Sequence, residues 1–492
     1  MKAFGAYPFT PTKYQAKPVS AKHVPVLIVG GGPVGLTSAL ALAKQGIKVV
    51  VCEADDSVCA GSRAICISRR SLEIFQRLGV VDKFLQFGLP WTGGRSYYQE
   101  HEVLHFHMPH DQHEQLPPMI NVAQYHIEDI LLQACLQEPL CEIRWQSKVS
   151  YGAQTEQQVA VQVETPLGEY QQTADFLIAC DGGRSSIRES MGLKLLGTSY
   201  EGRYIIVDIL LQSDRATERL AYFDPRCNRG STVLVHKQPH GVWRIDYQLQ
   251  ADEDPVEAVK AEAVLPRVQS LLEMMGEKAD WQPIWISMYK ANALSMERYH
   301  HGRVVFAGDA AHLLPIFGVR GANSGIDDAD NLALKLAHTL AHPKQDLEPL
   351  ALYSIERVAA AQENLRQAMK STDFMAPPSH AFALLRTAVL SLAQTEPRLR
   401  SLINPRQTTA IHYPKATPYR ETCFYYQGQK TYLGKLLAER YPRDLGICFD
   451  LPAQHVDDIV LNHEQHAEVF SRYHISTPTR ILIRADGYIP HD

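Results

Sequence analysis

The feature that most constrains this chain is the turn after its first buried strand. Val26-Leu27-Ile28-Val29 is a short apolar, β-branched run of the kind that forms a buried parallel strand, and it leads into Gly30-x-Gly32-x-x-Gly35. Leu36 to Lys44 continues as an Ala/Leu-rich helix and Ile47 to Cys52 as a second buried strand, which makes the segment a βαβ unit. In such a unit Gly30 permits the tight turn, Gly32 lets the backbone approach a pyrophosphate, and Gly35 lets helix and strand pack closely. The phosphates then meet the free N–H groups at the helix N-terminus. Glu53 ends the second strand, about 20 residues on, where an acid accepts hydrogen bonds from a ribose and disfavours a 2′-phosphate. The expected dinucleotide is therefore FAD or NAD rather than NADP.

The rest of the chain must supply more than this unit, because 492 residues exceed what one hydrophobic core holds. Asp175 to Cys180 reads as another buried strand, closed by the turn Asp181-Gly182-Gly183. From Tyr204 to Tyr247 the hydrophobic period becomes two, over Tyr204–Leu211, Leu220–Phe223, Thr232–His236 and Val242–Tyr247, with Pro239-His240-Gly241 as a hairpin turn. Trp285 to Tyr289 alternates in the same way. Arg303 to Ala307 returns to a buried strand, followed by helical spacing over Asp327–Thr339 and Leu352–Lys370. Helical patterning continues to Leu402, then a proline- and tyrosine-rich stretch, and Arg480 to Ile489 reads as a hairpin around Ala485-Asp486-Gly487.

The composition narrows the class. Apolar residues make up 45% and charged residues 21%, which is ordinary for a globular protein. A net charge of −5 carries no footprint for nucleic acid or an anionic membrane. Nine scattered cysteines without a Cys-x-x-Cys argue against a disulfide framework or a metal site and fit a reducing cytoplasm. Val24 to Ala43 is apolar, but Gly30, Gly31, Gly32, Pro33 and Gly35 interrupt it, so neither a signal peptide nor membrane insertion is expected.

Two further motifs follow, and the resemblance carried by the first of them decides between FAD and NAD. Gly302-Arg303-Val304-Val305-Phe306-Ala307-Gly308-Asp309-Ala310-Ala311-His312 places a carboxylate, Asp309, at a strand's carboxyl end, where it can accept hydroxyl hydrogen bonds. Cys180-Asp181-Gly182-Gly183-Arg184-Ser185-Ser186-Ile187-Arg188 is an Asp-Gly turn of the same kind. Together with the glycine turn these resemble the class A flavoprotein monooxygenases, the family of p-hydroxybenzoate hydroxylase, phenol hydroxylase and 3-(3-hydroxyphenyl)propionate hydroxylase, over roughly residues 24–370.

The resemblance implies an α/β fold: a Rossmann-like FAD-binding domain with an inserted antiparallel β-sheet substrate domain and a C-terminal extension. The expected layout is an N-terminal arm at 1–22, a discontinuous FAD-binding domain at 23–90, 120–200 and 295–375, and a β-rich substrate domain at 91–119 and 201–294. A C-terminal helical region with a degenerate thioredoxin-like part is expected at 376–492. It further implies that Asp309 binds the FAD ribityl chain, that Asp181 serves the pyrophosphate region and a transient NAD(P)H site, and that Arg63, in the segment Ser62 to Glu73, lies near the phosphates. Gln124 opens a helix by the ribityl chain, and the loop Pro315 to Gly325, with Pro315, Gly321, Ala322 and Asn323, passes along the isoalloxazine ring. Asn323 and Ser324 are suitable helix N-caps, so amides there would face an anionic reduced flavin. His312 reads as a packing or supporting residue. Tyr353, Glu356 and Arg357 recur in the following helix.

The implied reaction is NAD(P)H-dependent hydroxylation of a phenolic or other aromatic compound by O2, through a flavin C4a-hydroperoxide. A base for the substrate hydroxyl would help, because phenolate is more nucleophilic than phenol. Phenol-hydroxylase-like relatives carry an aspartate after the ribose acid, but Ala64-Ile65-Cys66-Ile67 is apolar here, so the catalytic residue stays unassigned. The β-rich region offers Tyr204, Asp208, Tyr222, Trp243, Arg244, Asp246, Trp285 and Tyr289 as polar and aromatic candidates, each read singly as sheet-face packing. Alternation sets Trp243 and Ile245 on one face, Arg244 and Asp246 on the other. The C-terminal Ile481 to Tyr488 resembles the thioredoxin-like tail of larger members, without its cysteines, and reads as a docking or homodimer element. Open alternatives are another FAD oxidoreductase, a halogenase, whose Trp-x-Trp-x-Ile-Pro stretch is missing, and a non-catalytic binding protein of the GDP-dissociation-inhibitor type.

Overall fold

The computed structural model describes residues 2–3, 9–62, 64–108, 110, 116–250, 252–342, 347–403, 423–427, 429–472 and 474–489. Arg63 and most of the proline- and tyrosine-rich stretch, 404–422, lie outside them.

An eight-stranded sheet forms the first half. Val24–Val29 pairs in parallel with Val49–Cys52 on one side and with the end of Gly168–Ala179 on the other, with Val29 level with both Cys52 and Ala179. Ala179 is level with Phe306 of Val304–Phe306. Because these strands run in one direction, the segments that follow them emerge along one sheet edge: Gly30, Glu53, Asp181 and Asp309. Gly168–Ala179 is longer than the pattern suggested because its first half makes a hairpin with Val159–Thr165 before it enters the parallel sheet. The strands are apolar on both faces because helices Pro33–Ala43, Gln124–Gln137 and Gly321–Ala341 pack around them.

A nine-stranded sheet forms the second half. Leu196–Leu211, Arg219–Phe223, Thr232–Lys237, Val242–Gln248 and Trp281–Ser295 realise the alternating pattern, and Pro239–Gly241 is the connection between two of them, with His240 at φ 61°. Gly93–Tyr98 and His101–His107 extend it; the first runs parallel to Arg219–Phe223. The inward face, including Val207, Trp243, Ile245 and Tyr247, packs on helix Ala261–Met275. The opposite face looks toward the first half.

The described residues of the N-terminal arm are tied down. Tyr14 stacks on Trp145 at 4.6 Å between ring centroids, Phe9 on Tyr125 at 5.1 Å, and Lys2–Ala3 adds an edge strand beside Trp285 and Ile286. Stacked aromatics bury enough area to hold such an arm. Near the C-terminus the turn at Ala485–Gly487 forms, but Thr479–Ile483 pairs with Leu445–Phe449 rather than with the residues after the turn. The turn docks on the first half of the same chain: Arg484 bonds Glu356 at 2.8 Å, Arg70 bonds the carbonyl of Asp486 at 3.0 Å, and Arg357 bonds the Tyr488 hydroxyl at 3.0 Å. Among the described residues no helix is long and apolar enough to cross a membrane.

Candidate active site

The edge where the parallel strands end opens into a cavity of about 510 Å³ that runs on to the outward face of the antiparallel sheet. Gly30, Gly32, Glu53, Gln124, Asp181, Asp309, Pro315, Gly321 and Ala322 all line it.

The three glycines act differently. Gly30 has φ +103°, and a Cβ there would lie 2.4 Å from the carbonyl oxygen of Cys180. A Cβ on Gly35 would lie 2.0 Å from the Gly30 oxygen. Both positions are closed by the chain itself. At Gly32 a Cβ would meet nothing within 4 Å, so the bare backbone faces open space. Glu53 is held at the cavity wall by the amides of Gly31 (2.5 Å) and Asp55 (2.9 Å). Asp181 accepts through Oδ2 from the Ile187 amide (3.2 Å) and the Ser186 hydroxyl (3.3 Å), while its buried Oδ1 has no partner. Asp309 is exposed to the cavity on the turn that Gly308 starts at φ +62°. An orphaned carboxylate oxygen, a glycine open to the cavity and two further carboxylates at strand ends fit the hydroxyls and phosphates of a dinucleotide.

Gln124 starts its helix and serves partly as a brace: Oε1 accepts from the Ala64 amide at 3.1 Å, and Nε2 donates to Glu128 at 2.8 Å. Helix Gly321–Ala341 begins three residues earlier than Asn323 as its N-cap would set it, after Arg320, which makes no side-chain cap bond. Amides of its first turn have no acceptor inside the helix, and Gly321 and Ala322 line the cavity. Asn323 is not part of the lining. Its Oδ1 accepts from the Ser68 amide (2.9 Å) and Ser71 hydroxyl (2.7 Å), and its Nδ2 donates to the carbonyls of Val319 (2.7 Å) and Cys66 (3.1 Å). It ties the loop to the strand Cys66–Ser68, because its hydrogen-bonding groups are already engaged by protein.

His312 is also outside the lining. Wholly buried, it bonds Asp328 at 2.7 Å; the same carboxylate accepts from the Gly308 amide (3.0 Å) and from Arg357 (2.6 Å). Burial alone would raise the Asp328 carboxyl, but Arg357 and His312 hold it down to about 2. This network fixes the Gly308–Asp309 turn from behind. Arg70, for its part, bonds Asp327 (2.9 Å) and Asp330 (2.8 Å), so it anchors helices to each other.

The far end of the cavity is made by Ile206, Arg219, Leu234, His236, Arg244 and Asp246 of the antiparallel sheet, with Cys66 and Phe317 opposite. Arg244 holds Asp208 through two bonds of 2.7 and 2.8 Å. Trp243 and Ile245 face the helix-backed core instead, as alternation requires. Tyr222 stacks on Tyr97 at 4.8 Å in that core, Tyr204 packs edge-on to Phe317 at 5.3 Å, and Trp285 lies against Arg244 at 5.8 Å. Tyr289 reaches the cavity and bonds the Leu314 carbonyl at 3.4 Å. Arg219 and His236 are absent from the residues that sequence reasoning singled out. The signal was available in their register, since Arg219 pairs with His236 and His236 with Arg244, so all three share one face.

The FAD binding domain family matches residues 23–368. A 3-(3-hydroxyphenyl)propionate/3-hydroxycinnamic acid hydroxylase of Mycolicibacterium gilvum (strain PYR-GCK) is 29% identical over 81% of this chain and 70% of its own length. Other hydroxylases of that name, from Mycobacterium, are matched over 64% of theirs. Among solved structures, a flavin-dependent monooxygenase in complex with FAD and substrate aligns with a TM-score of 0.74 and 19% identity, over 96% of each chain. A p-nitrophenol 4-monooxygenase from Pseudomonas putida DLL-E4 aligns with a TM-score of 0.66 and 23% identity, over 79% of this chain and 98% of its own. The cavity begins at four strand ends of the parallel sheet and finishes on the antiparallel one, and with the family match over residues 23–368 and these relatives the chain belongs to the class A FAD-dependent monooxygenases.

Proposed function

We propose that this protein hydroxylates a phenolic ring, consuming NAD(P)H, a proton and O2 and releasing NAD(P)+ and water. The observation that carries the reading is the single cavity shared by the cofactor-type strand ends and the buried polar face of the sheet. FAD, when bound, supplies the two-electron reduction and the oxygen activation that amino-acid side chains lack.

The chain's own residues supply placement. Glu53, Asp181 and Asp309 offer acceptors for ribose and ribityl hydroxyls, and Gly32 admits phosphate against bare backbone. The helix start at Gly321 and Ala322 turns amide donors toward negative charge at the reacting end. Ile206, Leu234, Ile316 and Phe317 form an apolar wall for a ring and exclude water, while Arg219, His236 and Asp246 meet its polar substituents. Relatives named for 3-(3-hydroxyphenyl)propionate and 3-hydroxycinnamic acid support a phenol of that size. The same reading makes the protein a cytoplasmic enzyme of small molecules, with a homodimer as its expected assembly.

Steady-state measurement of NAD(P)H, O2, H2O2 and hydroxylated product over a panel of phenols and phenolic acids tests this. The expected result is a phenol that accelerates NAD(P)H oxidation and yields product with little peroxide. A panel that yields no hydroxylated product, with equal NAD(P)H oxidation in every case, would falsify it.

A further inference from the structure

Three polar side chains at the sheet end of the cavity have no hydrogen-bonding partner. Arg219, His236 and Asp246 are all buried, and none of them makes a hydrogen bond or ion pair among the described residues. Nε of Arg219 and Nδ1 of His236 are orphaned outright. They stand on adjacent strands: Arg219 opposite His236, His236 opposite Arg244, and Asp246 one step along, opposite Leu234 and Ile206. In the same patch Arg244 and Asp208 form a buried ion pair joined by two hydrogen bonds, so the sheet is able to pair charges where pairing is what it needs. A fold keeps buried polar groups without hydrogen-bond partners only at a cost, unless a ligand completes them, and such groups collect at functional sites.

We propose that Asp246 takes the proton of the substrate's ring hydroxyl and that Arg219 holds the phenolate oxygen so formed. The assignment rests on the aromatic hydroxylation proposed above. The substrate O–H bond breaks, a new O–H bond forms on a carboxylate oxygen of Asp246, and the electron pair stays on the substrate oxygen beside the guanidinium. The ring then carries the electron density that oxygen transfer requires, and the proton returns as product leaves.

The surroundings suit the task. Asp246 faces Arg244 on its own strand, Asp208 and His236 on the strands to either side and Arg219 one strand further, while Tyr289 of the same sheet and Cys66 also line the cavity. Burial pushes its carboxyl up, Asp208 adds to this and the two arginines oppose it, leaving it at about 7, poised to accept a proton at neutral pH. Burial, with Arg219 and Arg244, lowers His236 to about 3, and burial raises the Cys66 thiol to about 12, which removes both as competing bases or nucleophiles. Arg219 is lowered by burial to about 10 and still carries its charge.

The test uses FAD-loaded enzyme and a series of phenols made progressively more acidic by ring fluorination. Wild-type hydroxylation should vary little along the series. Asp246→Asn, with FAD content as its folding control, should lose about 100-fold or more with unsubstituted phenol. It should recover at least about tenfold with the most acidic member, which ionises without help. Arg219→Gln should show no such recovery. Asp246→Asn activity within threefold of wild type on phenol, or an equal loss along the whole series, overturns the assignment. Should the variant fail to fold, the wild-type pH profile decides: the rate with phenol should fall as pH drops through about 7, and a flat profile overturns it. Failure of the broader reading looks different, because wild-type enzyme would then hydroxylate no member of the series.

Discussion

At the edge of the parallel sheet the cavity wall is largely backbone, with glycine turns at 30–32, 182–183 and 321 and carboxylates already braced by amides. On the antiparallel sheet it is charged side chain, and three of those groups are unbraced. The first end is built to hold one fixed ligand mainly by shape, with Asp181 Oδ1 as the one buried carboxylate oxygen left open there. The second end is left incomplete, so a ligand of matching charge finishes it. One end should therefore respond to mutation through occupancy, the other through rate and pH.

The largest contrast is between two glycines. Gly32→Val should fold with thermal stability near wild type yet weaken FAD by about 1,000-fold or more, about 4 kcal/mol, because its side chain enters the cavity. Gly35→Val should give no folded protein, since its Cβ would overlap the Gly30 carbonyl. Flavin content and circular dichroism of the two variants decide; full flavin in a folded Gly32→Val would break the comparison.

Next comes the brace behind Asp309. Asp328→Ala strips Arg357 and His312 of a shared buried carboxylate and should lower the stability of the fold, measured by urea unfolding, by about 3–5 kcal/mol. Because that carboxyl is held at about 2 in the fold, below its usual range, the stability it contributes is intact above about pH 4 and lost as pH falls toward 2. An acid-unfolding profile unchanged in the variant would contradict this.

A smaller effect separates Asp309 from His312. Removing the carboxylate that faces the cavity should loosen FAD by about 10- to 100-fold, the worth of a hydrogen bond to a charged group. His312→Ala should lower stability and leave turnover of the folded fraction within several-fold. Fluorescence titration with FAD and initial rates separate the two; loss of hydroxylation in His312→Ala with flavin reduction intact would make the histidine catalytic.

The smallest effect sharpens the sheet end. A carboxyl raised to about 7 destabilises the fold increasingly from about pH 4 to 7, where the folded state binds more protons than the unfolded chain. Asp246→Asn should therefore raise Tm at pH 8, by on the order of 1 kcal/mol or a few degrees, and raise it less at pH 5. Equal shifts at both pH values would mean that the carboxylate is not strained.

The same contrast explains what was legible in the sequence. Backbone shape leaves a trace in residue type, because only glycine tolerates φ +103° at Gly30 or the contact at Gly35, so the parallel strands and their ends could be read directly. Packing periodicity likewise exposed the alternating strands and put Arg244 and Asp246 on a shared face. Pairing leaves no such trace. Nothing local shows that Arg244 is spent on Asp208 while Arg219, 25 positions earlier, is unspent. Asn323 has the composition of a cap but sits inside the helix, because the loop before it turns at Gly318 and Val319 with positive φ and starts the helix early. The N-terminal aromatics found partners far away in the chain, at Tyr125 and Trp145, which no local pattern encodes.

The central claim is that one cavity brings reduced FAD and a phenol together, and a single turnover tests it most directly. FAD-loaded enzyme is reduced without oxygen, mixed with O2 and one phenol, quenched, and analysed for hydroxylated product and H2O2. The account predicts close to one product per flavin for at least one phenol of the panel, with peroxide appearing in its place when the phenol is left out. Peroxide in full yield with every phenol, and no hydroxylated ring, would contradict it.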